Sequence, residues 1–307
     1  MVTGMCDPEI RTFSNDIGDA VMTVYTVFPG VHLIYNAVHM DRFDVGISAQ
    51  GNLIEILHCR EGRIEQEFED EFFYLMPGDL SIAIRSEAVK AFHFPLRHYH
   101  GITIAINADI APRCFSEFLD DVRVQPLEVA KRLCGGRYSR ILRSQQYIEH
   151  IFSELYSVPE AIRPGYLKVK ILELLLVLSG ITPWEKDQPP VPALSRYQVQ
   201  LAKQAAAYLA EHMDQRITIL ELAKQFNVSD THLKTAFKGV YGIPIFSYMR
   251  HQKMQMAAQL LIHTDRSITD IAAEVGYSNS GKFSSAFREV IGDSPSEYRR
   301  AHTKLLF

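Results

Sequence analysis

The chain has 307 residues, 47% of them hydrophobic and 22% charged, with a formal net charge of −4. This composition excludes a disordered or collagenous chain, and no apolar run approaches the roughly 20 residues needed to cross a bilayer. The length admits two domains. Residues 1–10 have neither the basic start nor the apolar core of a signal sequence, so a cytoplasmic protein without a membrane partner is expected. Cys6, Cys59, Cys114 and Cys134 lie far apart, with no paired metal spacing, and read as reduced structural thiols.

Five β-type runs come first, at 21–28, 31–38, 53–68, 72–84 and 100–107. They are rich in Val, Ile, Tyr and Phe and are broken by Glu61-Gly62 and Pro77-Gly78-Asp79. That pattern predicts an antiparallel barrel or sandwich over about 18–110. Within it, His98 and His100 sit at strand spacing on one face, with His93 nearby, and Arg97 offers a fork to a carboxylate or phosphate. No Glu follows the histidine pair within a few residues, and no third His stands beyond the Pro-Gly turn. No metal site and no cofactor are therefore expected, and His58, His93, Arg97, His98 and His100 are read as candidate effector-binding residues.

From Arg113 to about Ile181 the pattern turns helical. The stretch Val169–Ile181 is apolar on nearly every side, so it must be buried against the barrel or against a second subunit. Pro183, Pro189, Pro190 and Pro192 then disfavour helix and ladder alike, which marks 183–196 as an extended linker. The charge divides there too. Residues 191–307 carry 14 Lys and Arg against 10 Asp and Glu, a net +4, and the remainder carry 18 against 26, a net −8. An acidic domain at 1–182 and a basic one at 197–307 are expected.

Beyond the linker the helical period dominates, and one unit occurs twice. Ala223 and Ser229 match Ala272 and Ser278 at an offset of 49, while Phe237, Gly242 and Tyr248 match Phe287, Gly292 and Tyr298 at an offset of 50. Each copy reads as a short helix, a tight turn, a Ser N-cap and a second helix, the grammar of a helix-turn-helix. Leu233, Ala236, Phe237 and Val240 fall at i, i+3, i+4 and i+7, as do Phe283, Ala286, Phe287 and Val290, so these face inward. The opposite faces present Asp230, Thr231, Lys234, Thr235 and Lys238 in one copy and Asn279, Ser280, Lys282, Ser284, Ser285 and Arg288 in the other. Hydroxyl, amide and ammonium groups on such a face can meet base edges and phosphates in a major groove.

Through "LAKQFNVSDTHLKTAFK", "YGIPIFSYMRHQKMQMAAQLL" and "SITDIAAEVGYSNSGKFSSAFREVIGDSPSEYRR", residues 197–300 resemble the DNA-binding domain of the AraC/XylS family of bacterial transcription regulators. The resemblance implies two helix-turn-helix units joined by one long helix, about Ile245–His263, which sets two recognition helices in successive major grooves. Lys253 stands where an Arg is usual in that helix, and Gly281 where a bulkier polar residue is usual. The rest of the chain fits the family plan less closely. "LMPGDLSIAI" looks like a cupin turn, and "ILELLLVLSG" with "FSYM…SPSEYR" is similar to the branch with siderophore-responsive regulators. The fold expected is α+β: an N-terminal cupin-like β-barrel with dimerisation helices at about 113–181, then an all-α domain with two helix-turn-helix units. The function implied is a homodimeric transcription regulator or activator, not an enzyme, with promoter DNA, a small-molecule effector and RNA polymerase as partners. A cupin-type metal-dependent enzyme with a DNA-binding appendage, and a regulator controlled by a protein partner, stay open as alternatives.

Overall fold

A computed structural model describes residues 7–15, 18–43, 52–68, 71–85, 92–115, 123–137, 139–181, 193–213, 215 and 217–303. These fall into two compact units that divide between Ala193 and Leu194. Most of the expected linker, and Cys6, lie outside the described residues.

Eleven strands are described in the first unit: β1 (Glu9–Asn15), β2 (Gly18–Phe28), β3 (Val31–Val38), β4 (Arg42–Phe43), β5 (Leu53–Gly62), β6 (Ile64–Phe68), β7 (Glu71–Leu75), β8 (Leu80–Arg85), β9 (Phe92–His93), β10 (Tyr99–Asn107) and β11 (Ser139–Leu142). The larger sheet runs β1-β2-β3-β10-β5-β8-β11 and the smaller β4-β9-β6-β7. All five β-type runs read from the sequence are strands. The closed barrel is not formed: among the described residues no ladder joins the two sheets, and each ends in edge strands paired on one side only. The chain crosses between them at Gly62 and Arg63, where Gly62 has φ 80° and a Cβ would stand 1.9 Å from the His98 carbonyl oxygen. Only glycine fits that approach.

Strand alternation gives the larger sheet two buried faces. Leu57, Cys59, Val38 and Tyr99 point toward the smaller sheet and share a core with Phe43, Ile64 and Leu75. Leu33, Ile54, Ile56, Ile102 and Ile104 point the other way, into a core built with three helices: α1 (Pro126–Cys134), α2 (Gln146–Leu155) and α3 (Arg163–Gly180). Pro126 opens α1, where no backbone N–H is needed, and Gly135 at φ 58° closes it. The helical reading of 113–181 is corrected at β11, which pairs with β8 through Ser139↔Ala83 to Leu142↔Leu80. Four residues are too short to carry a period, so the ladder decides.

The apolar α3 turns Leu167, Ile171, Leu174, Leu175 and Leu178 into its own unit's core. Each such side chain contributes about 1.5–3 kcal/mol by leaving water. Val169 and Leu176, seven residues apart, are 61% and 45% exposed on the outward side.

The second unit is helical: α4 (Arg196–Glu211), α5 (Ile219–Gln225), α6 (Asp230–Tyr241), α7 (Ile245–His263), α8 (Ile268–Glu274), α9 (Ser280–Ile291) and α10 (Pro295–Thr303). Reciprocal capping sets the starts of α4 and α5, through Ser195 with Gln198 and Thr218 with Glu221. Ser267 caps α8 at an offset of 49 from Thr218, its hydroxyl accepting from the Asp270 backbone at 3.1 Å. Phe237 and Phe287 are fully buried. Each meets a tyrosine of the following helix edge-on, Tyr248 at 5.3 Å and Tyr298 at 5.6 Å between centroids.

Candidate nucleic-acid interface

The pairs α5–α6 and α8–α9 each form a helix-turn-helix, and α7 packs against both second helices. Its 19 residues span roughly 28 Å at 1.5 Å per residue, comparable with one turn of B-DNA. Ala257 and Ala258, both buried, let the second helix-turn-helix approach α7 closely, and Met254 and Leu261 fill the space on either side. The spacing of α6 and α9 is therefore set by a packed helix, not by a loop.

The turns differ by one residue. Between α5 and α6 the left-handed position is Asn227, at φ 53°; between α8 and α9 it is Gly276, at φ 82°. The insertion falls after Gly276 and moves the second N-cap. Ser229 caps α6, accepting from the His232 backbone at 3.2 Å, but α9 is capped by Asn279, whose side chain accepts from the Lys282 backbone at 2.9 Å. Ser278, read from the sequence as the cap, lies in the turn.

Of the expected contact residues, Thr231, Lys234, Thr235 and Lys238 on α6 are exposed, as are Asn279, Ser280, Lys282, Ser285 and Arg288 at α9; Ser284 is half-buried. Beyond the capping Asn279, several of them are engaged within the chain. The Lys234 ammonium donates to Asp230 across one turn at 2.9 Å, and that hydrogen bond holds the Asp230 carboxyl below its ordinary pKa. Ser285 donates to the Gly281 carbonyl, and Arg288 reaches Glu297 at 3.4 Å. Lys253, on α7, reaches the second turn: a Cβ on Gly276 would lie 2.8 Å from its Nζ.

The five candidate effector residues do not converge. His58 is buried on the helix-covered face of the larger sheet, stacked on Phe152 at 4.0 Å, with Nε2 3.4 Å from the Glu149 carboxylate. Burial pushes its pKa down, against the pull of Glu149. His93 lies in the smaller sheet, opposite Arg42 and Glu65, and Arg97 occupies an exposed turn at φ 54°. His98 and His100 do stand together, and the structure adds two residues that the sequence reading omitted, His39 and Glu61. Only the strand register, which no local spacing reveals, brings those two into place.

Two helix-turn-helix units on one connecting helix define a DNA-binding domain. The helix-turn-helix domain family matches residues 222–301. Over 93 residues the chain is 36% identical to the regulatory protein SoxS of Escherichia coli, a match covering 30% of this chain and 87% of that protein. It is likewise 36% identical over 94 residues to the MmsAB operon regulatory protein of Pseudomonas aeruginosa, covering 31% of each, so it spans about a third of that relative. Among solved structures, the C-terminal domain of AraT, a response regulator from Geobacillus stearothermophilus, is 34% identical with a TM-score of 0.32, covering 33% of this chain and 84% of that one. The chain belongs to the AraC family of transcription regulators. No helix among the described residues is long and apolar enough to cross a membrane.

Proposed function

We propose that the chain is a sequence-specific transcription regulator in which the sheet-containing unit senses a small-molecule effector and the helical unit binds promoter DNA, with α3 as the dimer contact. The observation that carries this reading is the matched pair of exposed faces, Thr231 to Lys238 and Asn279 to Arg288, held apart by α7. Similarity to a protein named as an operon regulator supports control of a promoter, and hence RNA polymerase as a further partner. With a net charge of only +4 on residues 191–307, one copy has few phosphate contacts to offer, so tight binding calls for two copies acting together. Exposed Val169 and Leu176 give α3 an apolar outer stripe for that purpose.

Selection from random duplexes tests the DNA half. Enriched sequences should carry two conserved segments about 10–10.5 base pairs apart, and Lys282→Ala should weaken binding by about 1–3 kcal/mol if it reads a base. Failure to enrich any sequence refutes sequence-specific binding. For the dimer, Leu176→Glu should shift sedimentation toward monomer with the fold intact, whereas Leu175→Glu should unfold the unit, since Leu175 is in its core. Mass spectrometry of the purified protein tests for a bound effector.

A further inference from the structure

Strand pairing gathers a second polar cluster on the larger sheet. His100 stands opposite Ala37 on β3 and Glu61 on β5, and one step past the Tyr99↔Val38 pair lie His98 and His39. Tyr99, between His98 and His100 in sequence, points to the opposite face and is buried between the sheets. The histidines are thus outside the inter-sheet core. Ring centroids are 4.6 Å apart for His98 and His100, 5.3 Å for His39 and His100, and 5.5 Å for His39 and His98. One ring nitrogen of each lies within 4.8 Å of the other two.

Carboxylates flank this triad. Glu61 Oε2 is 3.5 Å from His98 Nε2 and 3.6 Å from His100 Nδ1, while Asp19 Oδ2 is 3.8 Å from His39 Nδ1. Nε2 of His100 is shielded from solvent and has no hydrogen-bond partner among the described residues. In a tetrahedral site with bonds of about 2.0–2.2 Å, donor atoms lie roughly 3.4 Å apart. Glu61 already stands near that distance from two imidazoles. Closing the remaining span of 4.8 Å or less requires only rotation of partly exposed side chains.

We propose that His39, His98 and His100, with Glu61 as fourth donor, bind a divalent first-row transition ion of the Zn²⁺, Ni²⁺ or Co²⁺ class. Three imidazole nitrogens and one carboxylate suit these ions better than Ca²⁺ or Mg²⁺, which favour shells of oxygen. Asp19 sits where a carboxylate braces a ligating imidazole through its other nitrogen. The bound ion ties together the ends of β3, β10 and β5. The site is independent of the DNA-binding reading.

The test uses the full-length chain, stripped with a chelator and dialysed against Zn²⁺ or Ni²⁺. Wild type should retain one ion more than His39→Ala/His98→Ala, and His39→Ala alone should weaken binding at least about tenfold. Glu61→Gln, which keeps the side-chain shape, should also bind more weakly, whereas His263→Ala, an exposed histidine of the other unit, should match wild type. The metal should raise Tm for wild type and not for the double variant. Equal metal content in wild type and double variant, or unchanged affinity in His39→Ala, overturns the proposal.

Discussion

The two helix-turn-helix copies agree in their cores and differ in their turns. Each buries one phenylalanine against one tyrosine with nearly the same edge-on geometry, and each ends its second helix at a left-handed glycine, Gly242 or Gly292. The turn between helices differs in residue, length and cap. Packing that must fill a fixed volume has little freedom, whereas a turn has several solutions provided one residue adopts positive φ.

The largest expected effect tests whether the copies are separate packing units. Phe237→Ala and Phe287→Ala should each cost about 3–5 kcal/mol. Hydrogen exchange on the full chain should show faster exchange in α4–α6 for the first variant and in α8–α10 for the second. Equal acceleration throughout the second unit in both variants would show one shared core instead of two.

Next come the turns. At Gly276 an alanine would have to adopt φ 82° and would meet Lys253, so Gly276→Ala should destabilise by about 1–2 kcal/mol. Asn227→Gly, at the matched position, should be close to neutral, because glycine's ease at positive φ is offset by the larger conformational entropy it loses on folding. Thermal unfolding distinguishes the two. The caps follow: Ser229→Ala and Asn279→Ala should each cost about 1 kcal/mol, and Ser278→Ala much less. A cost at Ser278 equal to that at Asn279 would return the cap to the serine.

What was legible in the sequence follows the same division. The repeat was readable because Phe237, Gly242 and Tyr248 and their counterparts recur at a constant offset, and helical spacing assigned their faces. Val290 is the partial exception, half-buried where Val240 is fully so. The change of offset from 49 to 50 marks one inserted residue but not its consequence: Ser278 aligns with Ser229, and only the hydrogen bond from Lys282 identifies Asn279 as the cap. In the sheet unit the strands were evident from composition. Their partners were not, since pairing is decided between segments tens of residues apart. That is why sequence alone suggests a closed barrel and a helix at β11, and does not join His39 and Glu61 to His98 and His100.

The smallest effect concerns charge at the proposed DNA face. Asp230 opens α6, whereas Ser280, its counterpart at an offset of 50, opens α9, so the first copy sets a carboxylate where the second has a hydroxyl, and that carboxylate stands beside the exposed Lys234. That carboxylate favours the helix N-terminus and opposes phosphate, and it holds the Lys234 ammonium at 2.9 Å. Stability and DNA affinity should therefore respond to Asp230→Asn with opposite signs: slightly lower thermal stability, and tighter binding at low salt as Lys234 becomes free to meet a phosphate. The slope of log affinity against log salt should steepen, by at most about one unit, and the Lys234→Ala change should remove that gain. Weaker binding in Asp230→Asn, confined to selected sequences and absent on random DNA, would reverse the assignment, because Asp230 would then be aiming Lys234 at a base.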